Sequence, residues 1–158
     1  QFVNDAASAC FDGLIMVDLP PEEDDELCDP ARTAGLHWIR LVTPTTNKDR
    51  LSDVLANSSG FVYYVSIAGI TGTQSAGAAS IEKAVHQIKT KSDLPVAVGF
   101  GIKTREQVKE IGNIAEGVVV GSVIVNEIEQ NLDANGQPKA GLVESVISLV
   151  RSLATDSI

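Results

Sequence analysis

The chain has 158 residues, of which 44% are apolar and only 4% aromatic. This composition excludes a wholly disordered polypeptide and predicts one domain, spanning 1–158, with a core of Val, Ile, Leu and Ala. Twelve basic residues stand against 21 acidic ones, a net charge of -9, which argues against nucleic acid and against an anionic membrane surface as partners.

Short runs rich in β-branched residues alternate with segments of helical periodicity along the chain. The predicted strands cover 13–17, 38–42, 61–65, 95–98 and 117–120. The predicted helices cover 21–34, 49–56, 80–91, a segment from Thr104, 122–129 and 141–153. Gly35 is predicted to end the first of these helices, and the string Thr104-Arg-Glu-Gln107 has the form of a capping box that starts the fourth. Several strands are apolar on both faces, as in a parallel sheet covered by helices on both sides. The pattern therefore predicts an α/β protein.

Two architectures fit this alternation of strands and helices. One is a doubly wound sheet of five strands, which about 150 residues can complete. The other is part of a (β/α)₈ barrel, which usually needs about 250 residues. Periodicity does not choose between them, but strand order does. A doubly wound sheet reverses direction at a switch point, so a sequential order in space excludes it.

An acidic block and two cysteines have simple structural interpretations. Residues 22–26 are all acidic and follow Pro20 and Pro21, which predicts a solvated helix start whose carboxylates face the positive end of the helix dipole. Cys10 and Cys28 form no disulfide framework or metal-ligand spacing, and we expect both to be small buried side chains.

Two consecutive strands end in glycine beside a predicted helix start. Gly99 and Gly101 flank Phe100 after the fourth strand, and Gly121 precedes Ser122 after the fifth. Glycine lets the backbone approach a ligand closely, and a helix start offers free N–H groups to an anion. Paired loops of this kind form the phosphate site of many barrels. The pair therefore predicts a phosphate site, although each glycine alone would be read as a tight turn.

The third strand is followed by the longest predicted connection, residues 66–79, with three glycines. Long loops in compact enzymes are often lids that exclude water, and we predict one here.

Tyr63 and Tyr64 alternate faces, so one of them points into the sheet interior or barrel lumen. Asp18 ends the first strand, where helix capping or local hydrogen bonding is favoured over substrate binding. Neither histidine, His37 or His86, is assigned to catalysis.

Several of these segments resemble the tryptophan synthase alpha chain family. The string 17–23, Val-Asp-Leu-Pro-Pro-Glu-Glu, is similar to the end of the fourth strand in that family. Residues 61–66 and Gly69-Ile-Thr-Gly72 resemble its sixth strand and loop. Residues 99–102, Gly-Phe-Gly-Ile, and Gly121-Ser122 resemble its two phosphate loops. The similarity extends over essentially the whole chain in the correct order.

The resemblance implies a (β/α)₈ TIM barrel, of which this chain is a partial barrel of five βα units, strands four to eight. Residues 1–9 would be the end of the helix before strand four. About 100 missing residues would then explain the absent initiator Met and the shortfall against a full barrel. The implied enzyme is a cytoplasmic carbon–carbon lyase of tryptophan biosynthesis, which cleaves indole-3-glycerol phosphate to indole and glyceraldehyde 3-phosphate.

The resemblance also assigns roles to individual residues. It implies a phosphate site at Gly72, Gly101, Gly121 and Ser122. It implies an indole pocket walled by Ile15, Phe100 and Val119, with Tyr63 near the glycerol moiety. Thr71 would organise the closed lid, and Asp18 would support the site without transferring protons.

No catalytic residue is expected in this chain. The catalytic Glu and the indole-binding Asp of the family would lie upstream of Gln1, so we expect the chain to bind phosphate poorly and to be inactive alone. No metal or cofactor is expected, because pyridoxal phosphate belongs to the beta chain of an α2β2 tetramer.

Five strands also leave two unpaired edges, which predicts self-association or another partner. The alternatives are a non-catalytic assembly module and the doubly wound phosphate-binding domain.

Overall fold

A computed structural model describes residues 1–66, 74–99 and 101–154 of the chain. The five strands of this part are β1 (Gly13–Ile15), β2 (His37–Val42), β3 (Val62–Val65), β4 (Val96–Gly99) and β5 (Gly117–Val119). Its helices are α1 (Phe2–Ser8), α2 (Asp25–Thr33), α3 (Lys48–Leu55), α4 (Gln74–Lys89), α5 (Arg105–Gly112), α6 (Ser122–Gln130) and α7 (Leu142–Leu153), with a short 3-10 helix at Pro21–Glu23.

The strands form one sheet in the order β1-β2-β3-β4-β5, and every neighbouring pair is parallel. This sequential order excludes the doubly wound alternative, in which the strand order reverses. Each strand is followed by helix, so the chain forms five consecutive βα units. The prediction of a partial (β/α)₈ barrel is confirmed.

The two faces of the sheet are buried to different extents. One face packs under the helices, where Val62, Tyr64, Val96 and Val98 are at most 2% exposed and join a core cluster with α3, α4 and α5. The register places the intervening residues of each strand on the opposite face. Leu41, Tyr63, Val65 and Ala97 on that face are only half-buried. In a full barrel this face would be the interior.

A second, smaller core cluster lies at the β1 side of the sheet. It joins α1, α2 and β2 through the buried side chains Val3, Ala6, Cys28, Ala31, Leu36 and Trp38. Gly35 follows α2 at a φ of +82°, the left-handed conformation in which glycine commonly ends a helix. The predicted helix end at Gly35 is therefore confirmed.

Three predicted element boundaries are wrong. Strand β1 ends at Ile15, so the predicted extension to Val17 is absent. The predicted helix over 21–34 is divided at Asp24 between the 3-10 helix and α2. Helix α4 begins at Gln74, so residues 74–79 are helical and do not belong to a loop over 66–79. The rest of that loop, from residue 67 to residue 73, lies outside the described residues.

Two predictions about single residues are also wrong. Cys28 is fully buried as expected, but Cys10 is exposed, because it follows α1 in a turn with a φ of +62°. Asp24 lies within the acidic block but is 0% exposed, so the block is not solvated throughout. No helix in the described part of the chain is long and apolar enough to span a membrane.

Candidate phosphate-binding edge

The carboxyl ends of β3, β4 and β5 meet at one edge of the sheet. Val65 pairs with Gly99, and Gly99 pairs with Val119. Ser66 fixes the first of these junctions, since its backbone N–H and its hydroxyl both donate to the carbonyl of Gly99, at 2.9 and 3.0 Å. The turns after β4 and β5 therefore leave neighbouring strands at the same level.

The turn after β4 contains Gly101 at a φ of +78°, a backbone conformation that side chains other than glycine rarely adopt. Helix α5 begins at Arg105 with Thr104 as its N-cap residue, which confirms the predicted helix start at Thr104. Its start is closed by the predicted capping box, in which Thr104 Oγ1 accepts from the Gln107 N–H at 3.3 Å. Gln107 Oε1 in turn accepts from the backbone N–H groups of Lys103 and Thr104, at 2.8 and 3.1 Å. The capping box therefore occupies amides at the start of α5 that an anion would otherwise use.

The turn after β5 leads straight into α6, with Gly121 as the N-cap residue. No side chain among the described residues caps this helix, and the N–H groups of Ile124 and Val125 donate to the carbonyl of Gly121. A Cβ built on Gly121 would meet no atom of the described residues within 4 Å. Ser122 is exposed beside it. The start of α6 therefore presents open amides and a hydroxyl where α5 does not.

Three predicted pocket residues share the half-buried face of the sheet. Ile15 and Val119 are 45% and 36% exposed, at the ends of the two outermost strands, and Tyr63 lies between them on β3. A Cβ added to Gly99 would come within 2.8 Å of Tyr63 Cζ, so this glycine allows the Tyr63 ring to lie against the backbone of β4. Thr71, Gly72 and Phe100, also predicted to bind substrate, lie outside the described residues.

Asp18 lies in the loop after β1, at a cavity of about 310 Å³. Its side chain is exposed and caps no helix, because Pro20 is the N-cap residue of the following 3-10 helix. Of the two favoured roles, helix capping and local hydrogen bonding, capping is therefore wrong. The cavity is lined from the ends of β1 and β2 and from α3, and none of the described residues at the two glycine turns contributes to it. The lining residues are Met16, Val17, Asp18, Leu19, Pro20, Pro21, Arg40, Leu41, Thr46, Arg50 and Val54.

Sequence reasoning missed a buried ion pair beside this cavity. The guanidinium of Arg40, on β2, contacts the carboxylate of Asp24, and the two side chains are 4% and 0% exposed. Trp38 Nε1 donates to the same carboxylate at 3.1 Å, and Arg40 donates to the carbonyl of Leu19 at 3.0 Å. Burial lowers the pKa of Arg40 from its usual value. The available signal was an arginine inside an apolar strand, which requires a buried counterion.

Within the described residues, no cluster of three or more His, Cys, Asp or Glu side chains is placed to hold a metal ion. The chemistry that this edge offers is therefore anion binding by amides and a hydroxyl next to a half-open apolar surface.

Comparison with known proteins gives consistent matches. The family model described as tryptophan synthase alpha chain matches residues 1–153. Tryptophan synthase subunit alpha from Campylobacter jejuni is 31% identical, with a TM-score of 0.84, over 97% of this chain and 58% of that chain. The alpha chain from Legionella pneumophila is 36% identical, with a TM-score of 0.78, over 96% and 54%. A tryptophan synthase from M. tuberculosis is 32% identical, with a TM-score of 0.78, over 96% and 53%. The chain thus spans just over half the length of the solved chains it matches.

Proposed function

The chain belongs to the tryptophan synthase alpha chain family, and on this premise we propose that it supplies the phosphate-binding and indole-binding side of an indole-3-glycerol phosphate lyase. The sequence-based assignment to the family is confirmed by the family model and by the solved structures. In the proposed complete enzyme, this substrate is cleaved to indole and glyceraldehyde 3-phosphate.

The observation that carries the proposal is the pairing of two turns at one sheet edge. Gly99 and Val119 are in register, so the turns at Gly101 and Gly121 begin about 4.8 Å apart, the usual separation of neighbouring strands. A phosphate held there would accept from the Gly101 amide, the first amides of α6 and the Ser122 hydroxyl. The positive end of the α6 dipole would add to the attraction. Gly72, from the lid, is the fourth proposed phosphate ligand.

The rest of the substrate would lie along the half-buried face of the sheet. Ile15 and Val119, together with Phe100, would wall the indole ring, and Tyr63 would contact the glycerol moiety. Thr71 would organise the closed lid, and Asp18 would support the mouth of the site. Apolar walls with a few polar groups at one end are typical of small-molecule sites.

The bond that breaks joins the indole ring to a glycerol carbon that bears a hydroxyl group. The ring carbon gains a proton, the hydroxyl loses one, and the electron pair of the broken bond returns to the ring. This exchange needs a positioned acid and base, and an anion near the ring nitrogen favours it. We assign these roles to carboxylates outside this chain, and we therefore propose that the chain alone binds phosphate weakly and has no lyase activity.

The proposal includes a partner for the product. Indole would pass to a beta chain, whose pyridoxal phosphate joins it to serine, within an α2β2 tetramer. No step of the cleavage itself uses that cofactor.

Titration with glycerol 3-phosphate, followed by amide chemical shifts, tests the phosphate site directly. Shifts should concentrate at Gly101, Gly121 and Ser122, with an affinity in the millimolar range or weaker. Gly121→Asp should abolish them, because the added carboxylate repels the phosphate. Gly121→Ala is the matched control, because its Cβ would meet no atom within 4 Å in the part of the chain that the structure describes, and the fold should be unchanged. Shifts spread over the surface, or equal in both variants, would contradict the site.

Complementation tests the reaction. The chain is mixed with the amino-terminal part of the Campylobacter jejuni subunit that it does not match, and indole release from indole-3-glycerol phosphate is measured. The mixture should release indole and neither part alone should do so, whereas Gly121→Asp should lower kcat/KM at least 10-fold through KM. A mixture that forms a complex but releases no indole would contradict the assigned reaction.

A further inference from the structure

The connection between α6 and α7 is a short hairpin with the dipeptide Asn135-Gly136 at its tip. Leu132 and Pro138 form an isolated antiparallel bridge that closes the base of this hairpin. Both residues of the dipeptide are exposed, and Gly136 has a φ of +75°, the left-handed conformation that completes many three-residue hairpin loops. The hairpin takes no part in the substrate site proposed above.

One residue, Asp133, holds the tip of the hairpin closed. Its carboxylate oxygen Oδ1 accepts from the backbone N–H groups of Asn135 and Gln137, both at 2.8 Å. Its carbonyl accepts from the Gly136 N–H at 3.0 Å, and its own N–H donates to the carbonyl of Gln137 at 2.9 Å. Four hydrogen bonds to one residue therefore fix the main chain on both sides of Asn135.

Asn135 differs from the other six asparagines of the chain in its side chain and in the residue that follows it. The side chains of Asn47, Asn57 and Asn131 form hydrogen bonds with neighbouring groups. The side chain of Asn135 forms none within the part of the chain that the structure describes. Asn135 is also the only asparagine in the sequence that glycine follows. A free side-chain amide and an unobstructed neighbouring backbone nitrogen therefore coincide at this position.

We propose that Asn135 is the site at which this protein deamidates, and that Asp133 controls the rate. The backbone nitrogen of Gly136 attacks the side-chain carbonyl carbon of Asn135. The new C–N bond closes a five-membered succinimide ring, the Gly136 nitrogen loses its proton, and the side-chain nitrogen of Asn135 leaves as ammonia. Water then opens the ring at either of its two carbonyl groups, which leaves aspartate or isoaspartate. Water is the only co-reactant.

Two features of the tip act on this reaction in opposite directions. Gly136 favours it, because glycine has no side chain to obstruct the attack and is conformationally permissive. The closed turn opposes it, because the attacking nitrogen of Gly136 donates to the Asp133 carbonyl and because Asp133 Oδ1 holds the Asn135 backbone. Reaction therefore requires local opening of the tip, which becomes more frequent when fewer hydrogen bonds hold it.

Deamidation changes both the charge and the geometry of the hairpin. The product carries one negative charge more than the original net charge of -9, and this charge lies two residues from Asp133. In the isoaspartate form the main chain runs through the former side chain, which adds one atom between residues 135 and 136. A longer link and a second carboxylate both oppose the hydrogen bonds that Asp133 forms, so we expect the modified tip to stay open.

Incubation of the chain at mildly alkaline pH, followed by peptide mass spectrometry, locates the reaction. We expect the mass change of an amide-to-acid exchange at Asn135, in separable aspartate and isoaspartate forms, before any change at Asn57 or Asn113. Asn135→Gln should abolish this first product, because glutamine would have to close a six-membered ring, which forms more slowly. An earlier reaction at another asparagine, or no reaction at Asn135, would overturn the proposal.

Asp133→Ala tests the control of the rate. It removes both bonds to Oδ1 and should accelerate deamidation at Asn135 by roughly 5-fold or more. Asp93→Ala removes a carboxylate from another exposed loop and should leave the rate unchanged. A synthetic peptide of residues 131–139, which lacks the fold, should react faster than the intact chain.

Circular dichroism of the Asp133→Ala chain checks that α6 and α7 are retained, so that any acceleration belongs to the hairpin. Equal rates in the intact chain, the Asp133→Ala chain and the peptide would overturn the assignment of rate control to Asp133. Neither result depends on the phosphate site or on lyase activity, since no substrate is involved.

Discussion

At the scale of single residues, the Asp24–Arg40 pair is the most consequential contact outside the proposed site. The guanidinium of Arg40 contacts the carboxylate of Asp24, donates to the carbonyl of Leu19 and lies with its Cζ 5.4 Å from the centre of the Trp38 ring. Arg40 therefore connects β2 with the loop that carries Asp18. Asp24 Oδ1 and Arg40 Nε have no hydrogen-bond partner among the described residues. The pair therefore combines the desolvation of two charges with incomplete hydrogen bonding, which makes it sensitive to loss of either partner.

We expect Asp24→Asn to lower the free energy of unfolding by about 3–5 kcal/mol, because it leaves the buried guanidinium without a counterion. Arg40→Met should have a similar effect by leaving the carboxylate unpaired. The double variant Asp24→Leu with Arg40→Met should lose far less than the sum of the two. Urea denaturation followed by far-ultraviolet circular dichroism measures all three, without relying on the nearby Trp38.

The same loop offers a matched exposed pair as a control. Glu22 and Arg50 are 3.2 Å apart, but their side chains are 57% and 49% exposed. Glu22→Gln should change stability by no more than about 1 kcal/mol, as for most surface ion pairs. Equal losses from Glu22→Gln and Asp24→Asn would show that burial does not determine the strength of the Asp24–Arg40 contact.

At the scale of elements, Glu116 connects a helix with two strands. Its carboxylate accepts a hydrogen bond of 2.6 Å from Lys89 Nζ, at the end of α4. It also accepts one of 2.8 Å from the backbone N–H of Val96, at the start of β4. Glu116 itself immediately precedes β5. The hydrogen bond from Lys89 and that from the Val96 amide lower the pKa of Glu116 below 4.5.

This lowered pKa gives a signed prediction for acid stability. The folded state favours the carboxylate, so the contribution of Glu116 is complete above about pH 4.5 and is lost as the pH falls through the lower folded pKa. Glu116→Gln should therefore reduce stability at pH 7, by less than about 1 kcal/mol because the side chain is half exposed, and should flatten the fall in stability below pH 4.5. Urea midpoints between pH 3 and 7 measure both effects.

Glu129→Gln, at an exposed position of α6 whose carboxylate forms no ion pair or hydrogen bond with another described residue, provides the comparison for that experiment. An equal flattening in both variants would assign the effect to net charge and not to the contacts of Glu116.

The elements also show where sequence reasoning succeeds and where it stops. The capping box at Thr104 and the glycine at position 35 were predictable, because both depend only on neighbouring residues. The capping box satisfies backbone N–H groups at the start of α5, and Gly35 ends α2 in a left-handed conformation. The start of α4 was not, because Gln74 to Ala79 contain small and polar residues without a helical apolar pattern. Nor was the burial of Asp24, which depends on Arg40, a residue 16 positions further along the chain that faces it only in the folded sheet.

At the scale of the whole molecule, the number of strands and their parallel direction followed from the alternating pattern, whereas the architecture did not. Periodicity fits both a doubly wound sheet and a barrel, since the two differ only in where successive strands are placed. The resemblance of several segments along the chain to a known family favoured the barrel, and the sequential strand order then excluded the doubly wound sheet. The register that brings Gly99 beside Val119 then depends on the sheet as a whole.

The two core clusters differ in size and position, and we expect them to differ in stability. Fourteen buried residues form the larger cluster under β2 to β5, whereas six form the smaller one, next to the open β1 edge. Cooperative units with fewer buried contacts open at lower free energy. Cys28, fully buried in the smaller cluster, is a natural probe, because burial raises the pKa of its thiol and suppresses reaction while the cluster is closed.

Thiol labelling in increasing urea measures this difference. Cys10, which is exposed, should react at once, and Cys28 should react at a rate set by opening of the smaller cluster. We expect its opening free energy to lie at least about 2 kcal/mol below that of global unfolding measured by circular dichroism. Ala115→Cys, in a Cys28→Ala background, places the matched thiol in the larger cluster and should open only with global unfolding. Equal opening free energies for the two buried thiols would mean that the five βα units unfold as one cooperative structure, with the open edge at β1 providing no weak point.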